Sequence, residues 1–271
     1  MSNDMRAGRQ PAGSQPAQPK KDFGKVANDN RHRPQPVSSY EGFNPMGEKQ
    51  KAQGDLIDKN DIVFSVGPAG TGKTYVAIAK AVEAFSAPDS HYETILLCRP
   101  AVEAGKTIGF LPGDQNDKMA PYMRPLYDEL DKVYGKGNYK NLIASEKNPA
   151  GVIEVAPVGT MRGRTFKNAF VIIDEAQNLK EEELKMVLTR LGPGSKIVIT
   201  GDPDQVDLEP KSQSALMHFV KALDGVEGVA VHTYGAEDVM RHPTVKRIID
   251  RLDQLENKGQ QNQPVAKAPA A

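Results

Sequence analysis

The architecture this sequence predicts is a three-layer α/β/α fold, with helices on both faces of a mainly parallel β-sheet. Three observations predict it. Six strand-like apolar runs alternate with helical stretches, the order that parallel crossover connections produce. One of these strands leads directly into a complete phosphate-binding loop that opens a helix. Two later strands end in carboxylates and amides, and open parallel sheets bind ligands at the carboxyl ends of their strands.

Taken in order, residues 1–40 are rich in Pro, Gln, Asn, Ser and Gly, lack a hydrophobic period, and are expected to form a disordered arm. Within 1–36, seven basic residues against three acidic ones leave an excess of +4. That balance suits either contact with nucleic acid or a solvated linker. The ordered domain is expected over 41–256. Strands are expected at 61–66, 93–98, 152–155, 169–173, 196–200 and 229–233. Helices are expected near 72–86, 117–133, 179–191, 212–223 and 242–256. Asn178 is placed to cap the 179–191 helix with Glu181 in the capping-box position, and Gly192-Pro193 to end it. The Gly-, Asn- and Lys-rich segment 135–150 reads as an excursion or hairpin. Residues 257–271, rich in Gln, Pro and Ala, read as a disordered tail.

Composition narrows the function classes. The 271 residues carry 35 basic and 35 acidic side chains, so a globally basic nucleic-acid binder is not indicated; a local basic patch remains open. The single cysteine, Cys98, excludes an intrachain disulfide and reads as an inert strand residue, which fits a reducing cytoplasm. No apolar run is long enough to span a membrane, and the N-terminus lacks the apolar core of a secretory signal. His32, His91, His218, His232 and His242 are scattered without metal-ligand spacing. The one metal expected is Mg²⁺, accompanying a nucleotide.

The phosphate loop is Gly67-Pro68-Ala69-Gly70-Thr71-Gly72-Lys73-Thr74. Its glycines let backbone N–H groups turn inward around phosphate oxygens, and the following helix adds a positive N-terminal dipole. Lys73 is expected to reach the β- and γ-phosphates, and the Thr74 hydroxyl to hold Mg²⁺. The apolar run 170–173 ends in Asp174 and Glu175. Asp174 is the candidate metal ligand, and Glu175 the candidate group that polarises water for in-line attack on the γ-phosphate. The run 197–200 leads to Gln205, a candidate γ-phosphate sensor or water-orienting amide. Gln50, upstream of the loop, carries an amide that can donate and accept at once, which suits the edge of adenine.

Longer segments carry a family resemblance. GPAGTGKTY at 67–75, RPAVEAGKTIGFLPGD at 99–114, PYMRPLYDEL at 121–130, MRGRTFKNAFVIIDEAQN at 161–178, LTRLGPGSKIVITGD at 188–202, QVDL at 205–208 and DVMRHPTVKRII at 238–249 resemble the PhoH family of P-loop ATPases. The resemblance covers about 41–256. It implies a RecA-like ATPase core similar to the first motor domain of superfamily 1 helicases, with an extra strand between the loop-bearing and acid-bearing strands. It also implies adenine contact by Gln50, metal binding by Asp174, sensing by Gln205, and assembly as a ring, a hexamer. Relatives with a PIN-type nuclease domain differ from this chain, in which a low-complexity arm precedes the ATPase segment. Asp207-Leu208-Glu209-Pro210 departs from the family pattern.

One motor domain leaves a stabilising arginine to be supplied by a neighbouring copy, in a head-to-tail homo-oligomer. Arg241 and Arg190 are the candidates. Arg99, Arg162, Arg164 and Thr165 are the candidate contacts to single-stranded RNA or DNA, with nucleotide phosphate or a neighbouring subunit as the alternative for Arg162 and Arg164. Aromatic residues are too sparse for an extended base-stacking platform. The expected activity is an Mg²⁺-dependent, helicase-like ATPase. A nucleotide-dependent assembly switch with negligible turnover is the second reading, and a small-molecule kinase the third.

Overall fold

The computed structural model describes residues 40, 42–100, 115–145 and 147–240, together with 244, 245, 247, 248 and 251. The expected arm, apart from Tyr40, and the expected tail lie outside the described residues, as do Arg241 and most of the expected 242–256 helix.

The apolar runs form six strands: β1 Ile62–Val66, β2 Thr94–Arg99, β3 Ile153–Pro157, β4 Ala169–Ile173, β5 Lys196–Gly201 and β6 Val229–Thr233. Their order is β3-β2-β4-β5-β1-β6, and every pairing is parallel. All six lie within two residues of their expected ends. β5 stands between β1 and β4, which is the inserted strand the family resemblance implied.

Among the described residues, five α-helices with named bounds complete the layers: α1 Glu48–Lys59, α2 Lys73–Ser86, α3 Gln115–Tyr134, α4 Glu181–Leu188 and α5 Leu216–Leu223. Successive strand residues point to opposite faces, so each strand feeds two cores. Val63, Leu97, Ile172 and Val198 pack with Val76 and Ile78 of α2 and Leu126 and Leu130 of α3. Phe64, Leu96, Val171 and Ile199 pack with Leu184 of α4 and Leu216 of α5. Burial on both faces explains the nearly continuous apolar strands. Cys98 is fully buried, and burial pushes its thiol well above the usual range, in keeping with an inert packing role. No described helix is long and apolar enough to cross a membrane.

Helix α1 escaped the sequence reading for a physical reason. Its buried positions are Gln50, Gln53, Gly54 and Ile57, a helical face made mostly of amides and a glycine. Hydrophobic periodicity is therefore faint, although Lys, Glu, Gln, Ala and Leu are good helix formers. Gly54 lets Phe43 approach: a Cβ there would lie 2.7 Å from the Phe43 ring.

The start of α4 also differs from expectation. Lys180, not Asn178, is its N-cap, and the Lys180 N–H donates to Glu183 at 2.9 Å. Asn178 is drawn away because its side chain exchanges two hydrogen bonds with Asp207. The 135–150 segment holds a short 3-10 turn at Lys140–Leu142 and a tight turn joining Ser145 to Asn148, with Glu146 not described.

Candidate nucleotide-binding site

The loop after β1 is held from behind and from the side. The Gly67 N–H donates to the Gly201 carbonyl at 3.1 Å, and the Ala69 N–H to the Asp202 carboxylate at 2.8 Å. Gly67 has φ 141°, and a Cβ there would lie 2.5 Å from the Tyr234 carbonyl oxygen. Gly72 has φ 84°, and its missing Cβ leaves room for the Gln50 amide. Positive φ favours glycine at both positions, and at Gly67 the nearby backbone leaves no space for a Cβ.

Lys73 opens α2. Its ammonium donates to the carbonyls of Gly67 and Pro68, each at 2.7 Å, and lies 3.4 Å from the Thr71 hydroxyl. Burial lowers its pKa below the ordinary lysine value, an effect partly offset by the carboxylates of Asp202, Asp174 and Glu175. The ammonium is thus poised in the loop, and a phosphate oxygen that replaces a carbonyl as its acceptor would set a negative charge against it in place of a neutral dipole.

The strand ends then supply the rest. Cys98 of β2 faces Ile173 of β4, and Ile173 faces Ile199 of β5. One residue further on, Arg99, Asp174 and Thr200 stand in a row. The Thr74 and Thr200 hydroxyls both donate to Oδ1 of Asp174 at 2.7 Å. A hydroxyl and a carboxylate in contact form an oxygen-donor pair suited to Mg²⁺, whose remaining ligands are ordinarily waters and nucleotide phosphates. Among the described residues there is no cluster of three or more His, Cys, Asp and Glu side chains able to hold a metal alone. Thr74 and Asp174 therefore fit a metal that arrives with a nucleotide.

Glu175 has left-handed backbone angles, φ 55° and ψ 39°. That conformation costs a non-glycine residue about 1–2 kcal/mol and persists where neighbours hold it. Here they do. Arg99 donates to Oε1 at 2.7 Å, and Gln177 donates to Oε2. Gln177 is 1% exposed, and its amide also donates to the Gln205 carbonyl at 3.1 Å and accepts from the Asp202 N–H at 3.0 Å. Asp202 in turn holds Ala69, so an unbroken hydrogen-bonded chain joins Glu175 to the phosphate loop.

A cleft of about 560 Å³ is lined by Lys73, Thr74, Asp174, Glu175, Asp202 and Gln205, with Gln50, Met46 and Met240 also on its wall. The Gln50 amide accepts from the Met46 N–H at 2.9 Å and donates to the Thr71 carbonyl at 3.1 Å. One N–H and one lone pair remain for a base edge. Behind the loop, Gln53 donates to the Lys73 carbonyl at 3.0 Å and accepts from the Tyr234 hydroxyl at 2.6 Å. Burial raises that phenol above the usual tyrosine range, so it stays a donor.

The candidate nucleic-acid set is divided. Arg99 sits on the carboxylates, 2.7 Å from Glu175 and 3.8 Å from Asp174. Arg164 grips Glu154 of β3 with two parallel bonds of 2.6 and 2.8 Å. That pairing raises the Arg164 pKa further. Glu154 lies near the amino end of β3, three residues before the Pro157 that pairs with Arg99. Arg162 and Thr165 are exposed on the same connection. Arg190 follows α4, and its carbonyl accepts from Phe166. Arg241 lies outside the described residues.

Sequence reasoning passed over Thr200, Asp202, Gln177, Gln53 and Tyr234. The first three had a visible signal, since each lies at or just beyond the end of an apolar strand. Gln53 and Tyr234 had none, because their meeting depends on α1 packing beside the loop.

Fold and site together define a P-loop nucleotide-binding protein of the ATPase type. Residues 43–253 match the family described as PhoH-like protein, and the chain belongs to that family. It is 47% identical over 208 residues to a PhoH-like protein of Bacillus subtilis (strain 168), a match covering 77% of this chain and 62% of that protein. It is 39% identical over 193 residues to Protein PhoH of Escherichia coli (strain K12), covering 71% of this chain and 53% of that protein. The chain thus spans between about half and three-fifths of the length of these relatives. Among solved structures it is similar to the UvsW helicase from bacteriophage T4, with a TM-score of 0.42 and 11% identity over 72% of this chain and 63% of that one. A score of this size says nothing about activity.

Proposed function

We propose that this chain is an Mg²⁺-dependent ATPase stimulated by single-stranded RNA or DNA, acting in the cytoplasm as a ring-shaped homo-oligomer, with 41–256 as its ATPase domain. The observation that carries the reading is the convergence of Lys73, Thr74, Asp174, Glu175 and Gln205 on one cleft. In this reading 67–74 cradle the phosphates, Gln50 meets adenine, and Thr74 and Asp174 hold the metal. Bound Mg²⁺ would neutralise charge on the β- and γ-phosphates. Gln205 orients the water, Glu175 accepts its proton, and the water oxygen attacks phosphorus as the bond to ADP breaks. Arg241 or Arg190 of a neighbouring copy stabilises the developing charge. Arg162, Arg164 and Thr165 lie together on a surface connection, where a strand backbone is accessible to them.

A second reading, an assembly switch with negligible turnover, is favoured by one observation. Both carboxylate oxygens of Glu175 already accept hydrogen bonds, from Arg99 and Gln177. Phosphate release by the purified protein, with and without single-stranded RNA and DNA, separates the two. Glu175→Gln is expected to retain ATP binding and lose about a hundredfold or more in turnover. Lys73→Ala is expected to weaken binding itself. Full turnover by Glu175→Gln ends the assignment of the base, and tight ATP binding without release by the unmodified protein favours the switch.

A further inference from the structure

Arg99 is the last residue of β2, and its guanidinium is committed to the acid pair at the end of β4. Its side chain is 19% exposed and that of Glu175 is 32% exposed, so the ion pair is open on one side. That side is a second cavity of about 640 Å³, lined by Arg99, Tyr122, Asn178 and Lys211. Glu175 and Gln205 line both this cavity and the nucleotide cleft, and so form the partition between them.

We propose that Arg99 is the residue through which a nucleic-acid strand controls Glu175. Paired with Arg99, the carboxylate directs its charge at a guanidinium instead of at water in the cleft. A backbone phosphate presented in the second cavity offers the same fork-shaped partner that a carboxylate does. When the phosphate takes the guanidinium, Glu175 keeps its Gln177 bond and turns its free oxygen to the attacking water. The exchange replaces one charge-assisted bond by another, so a weakly bound strand suffices to drive it.

The cavity chemistry favours a strand over a free phosphate ion. Asp204 and Asp207 also line it and oppose a small, highly charged anion. A strand brings more than charge, since Lys211 adds a second cation and Tyr122 an aromatic face on which a base can stack. This inference rests on the ATPase reading above and assigns the route by which a strand acts on the base.

The test measures phosphate release by full-length unmodified protein, Arg99→Met and Arg99→Lys, each alone, with a single-stranded oligonucleotide, and with inorganic phosphate at the same phosphate concentration. A fluorescent ATP analogue reports that each variant still binds nucleotide. The unmodified protein is expected to be stimulated by the strand about tenfold, within the usual range of coupling between two sites. Arg99→Met is expected to show a raised basal rate that the strand no longer changes. Arg99→Lys, which keeps the charge without the fork, is expected to lie between them. Inorganic phosphate is expected to have no effect; stimulation by it would replace the strand by a free anion and overturn the assignment. Strand stimulation that survives undiminished in Arg99→Met, or a basal rate below that of the unmodified protein, overturns the control by Arg99 while leaving the ATPase reading intact. Absence of turnover in the unmodified protein under every condition overturns both.

Discussion

The Thr200 hydroxyl donates to Oδ1 of Asp174 at 2.7 Å, and the same oxygen accepts from Thr74 at the same distance. One atom thus joins the end of β5 to the first turn of α2 through the acid that ends β4. Thr200 is fully buried and never faces the nucleotide cleft directly. Its effect on a metal must pass through Asp174. Thr200→Val keeps the shape and removes the donor. The Mg²⁺ concentration for half-maximal turnover is expected to rise about tenfold, as when a ligand loses its supporting hydrogen bond. Urea unfolding is expected to show a loss of about 1–2 kcal/mol. An unchanged Mg²⁺ dependence removes Thr200 from the metal site.

Burial lowers the Lys73 pKa, and this has a pH signature. In the proposed site the charged form is the one that binds phosphates, so ATP affinity is expected to fall as pH rises through a midpoint below 10.5, the unperturbed lysine value. Stability runs the other way. Between the lowered pKa and 10.5, the unfolded chain holds a proton that the folded chain has lost, so the contribution of this group to stability rises with pH over that window. Burial lowers Lys196 in the same sense, but Lys196 binds the carbonyls of Ile57 and Asn60 instead of lining the cleft. Nucleotide titrations from neutral to alkaline pH check the binding limb. Lys73→Arg is expected to flatten it; the same decline in Lys73→Arg assigns it to another group.

Two loop glycines should differ in their tolerance of a methyl group. At Gly67 an added Cβ meets backbone, the Tyr234 carbonyl at 2.5 Å. At Gly72 it meets the end of a side chain, the Gln50 amide, which can turn aside. Both alanines also bear the strain of positive φ. Gly67→Ala is expected to lose about 2–3 kcal/mol and Gly72→Ala about 1–2 kcal/mol, with the second also weakening adenine contact. Thermal unfolding gives the order, and a reversed order contradicts the backbone argument.

Gln177 ties Glu175, Gln205 and Asp202 through one buried amide. Gln177→Leu fills the space and leaves the Asp202 N–H and the Gln205 carbonyl without their partner. Stability is expected to fall by about 1–3 kcal/mol. Turnover is expected to fall about tenfold or more at saturating ATP, with KM little changed, because the residue bonds Glu175 and Gln205, the groups proposed to handle water, and not Lys73 or Thr74. A rise in KM at constant kcat places Gln177 in the cradle instead.

Much of this was legible in the sequence. Nearly continuous apolar runs located all six strands, because burial on both faces of a parallel sheet leaves little room for polar residues within a strand. Polar residues at strand ends then stood out, and Asp174, Glu175 and Gln205 were found that way. Helix α1 was not, because three of its four buried positions are Gln50, Gln53 and Gly54: the two amides bond the Thr71 and Lys73 carbonyls, and the glycine admits the Phe43 ring, so the face shows little apolar period. Asn178 illustrates a different failure. It has the local chemistry of a helix cap, but Asp207, distant in sequence, competes for its amide and wins.

Arg99 marks the boundary between the two kinds of information. Local sequence could place an arginine at the end of β2 and an acid pair at the end of β4, since both follow from where apolar runs stop. The partner of that arginine follows from strand order, which sets β2 beside β4, and from the left-handed turn at Glu175, which aims the carboxylate at it. Strand order and side-chain aim depend on contacts between residues far apart in the chain. Spacing along one sequence carries no record of such contacts, so the same arginine that reads as a nucleic-acid contact is, in the folded protein, first a partner of Glu175.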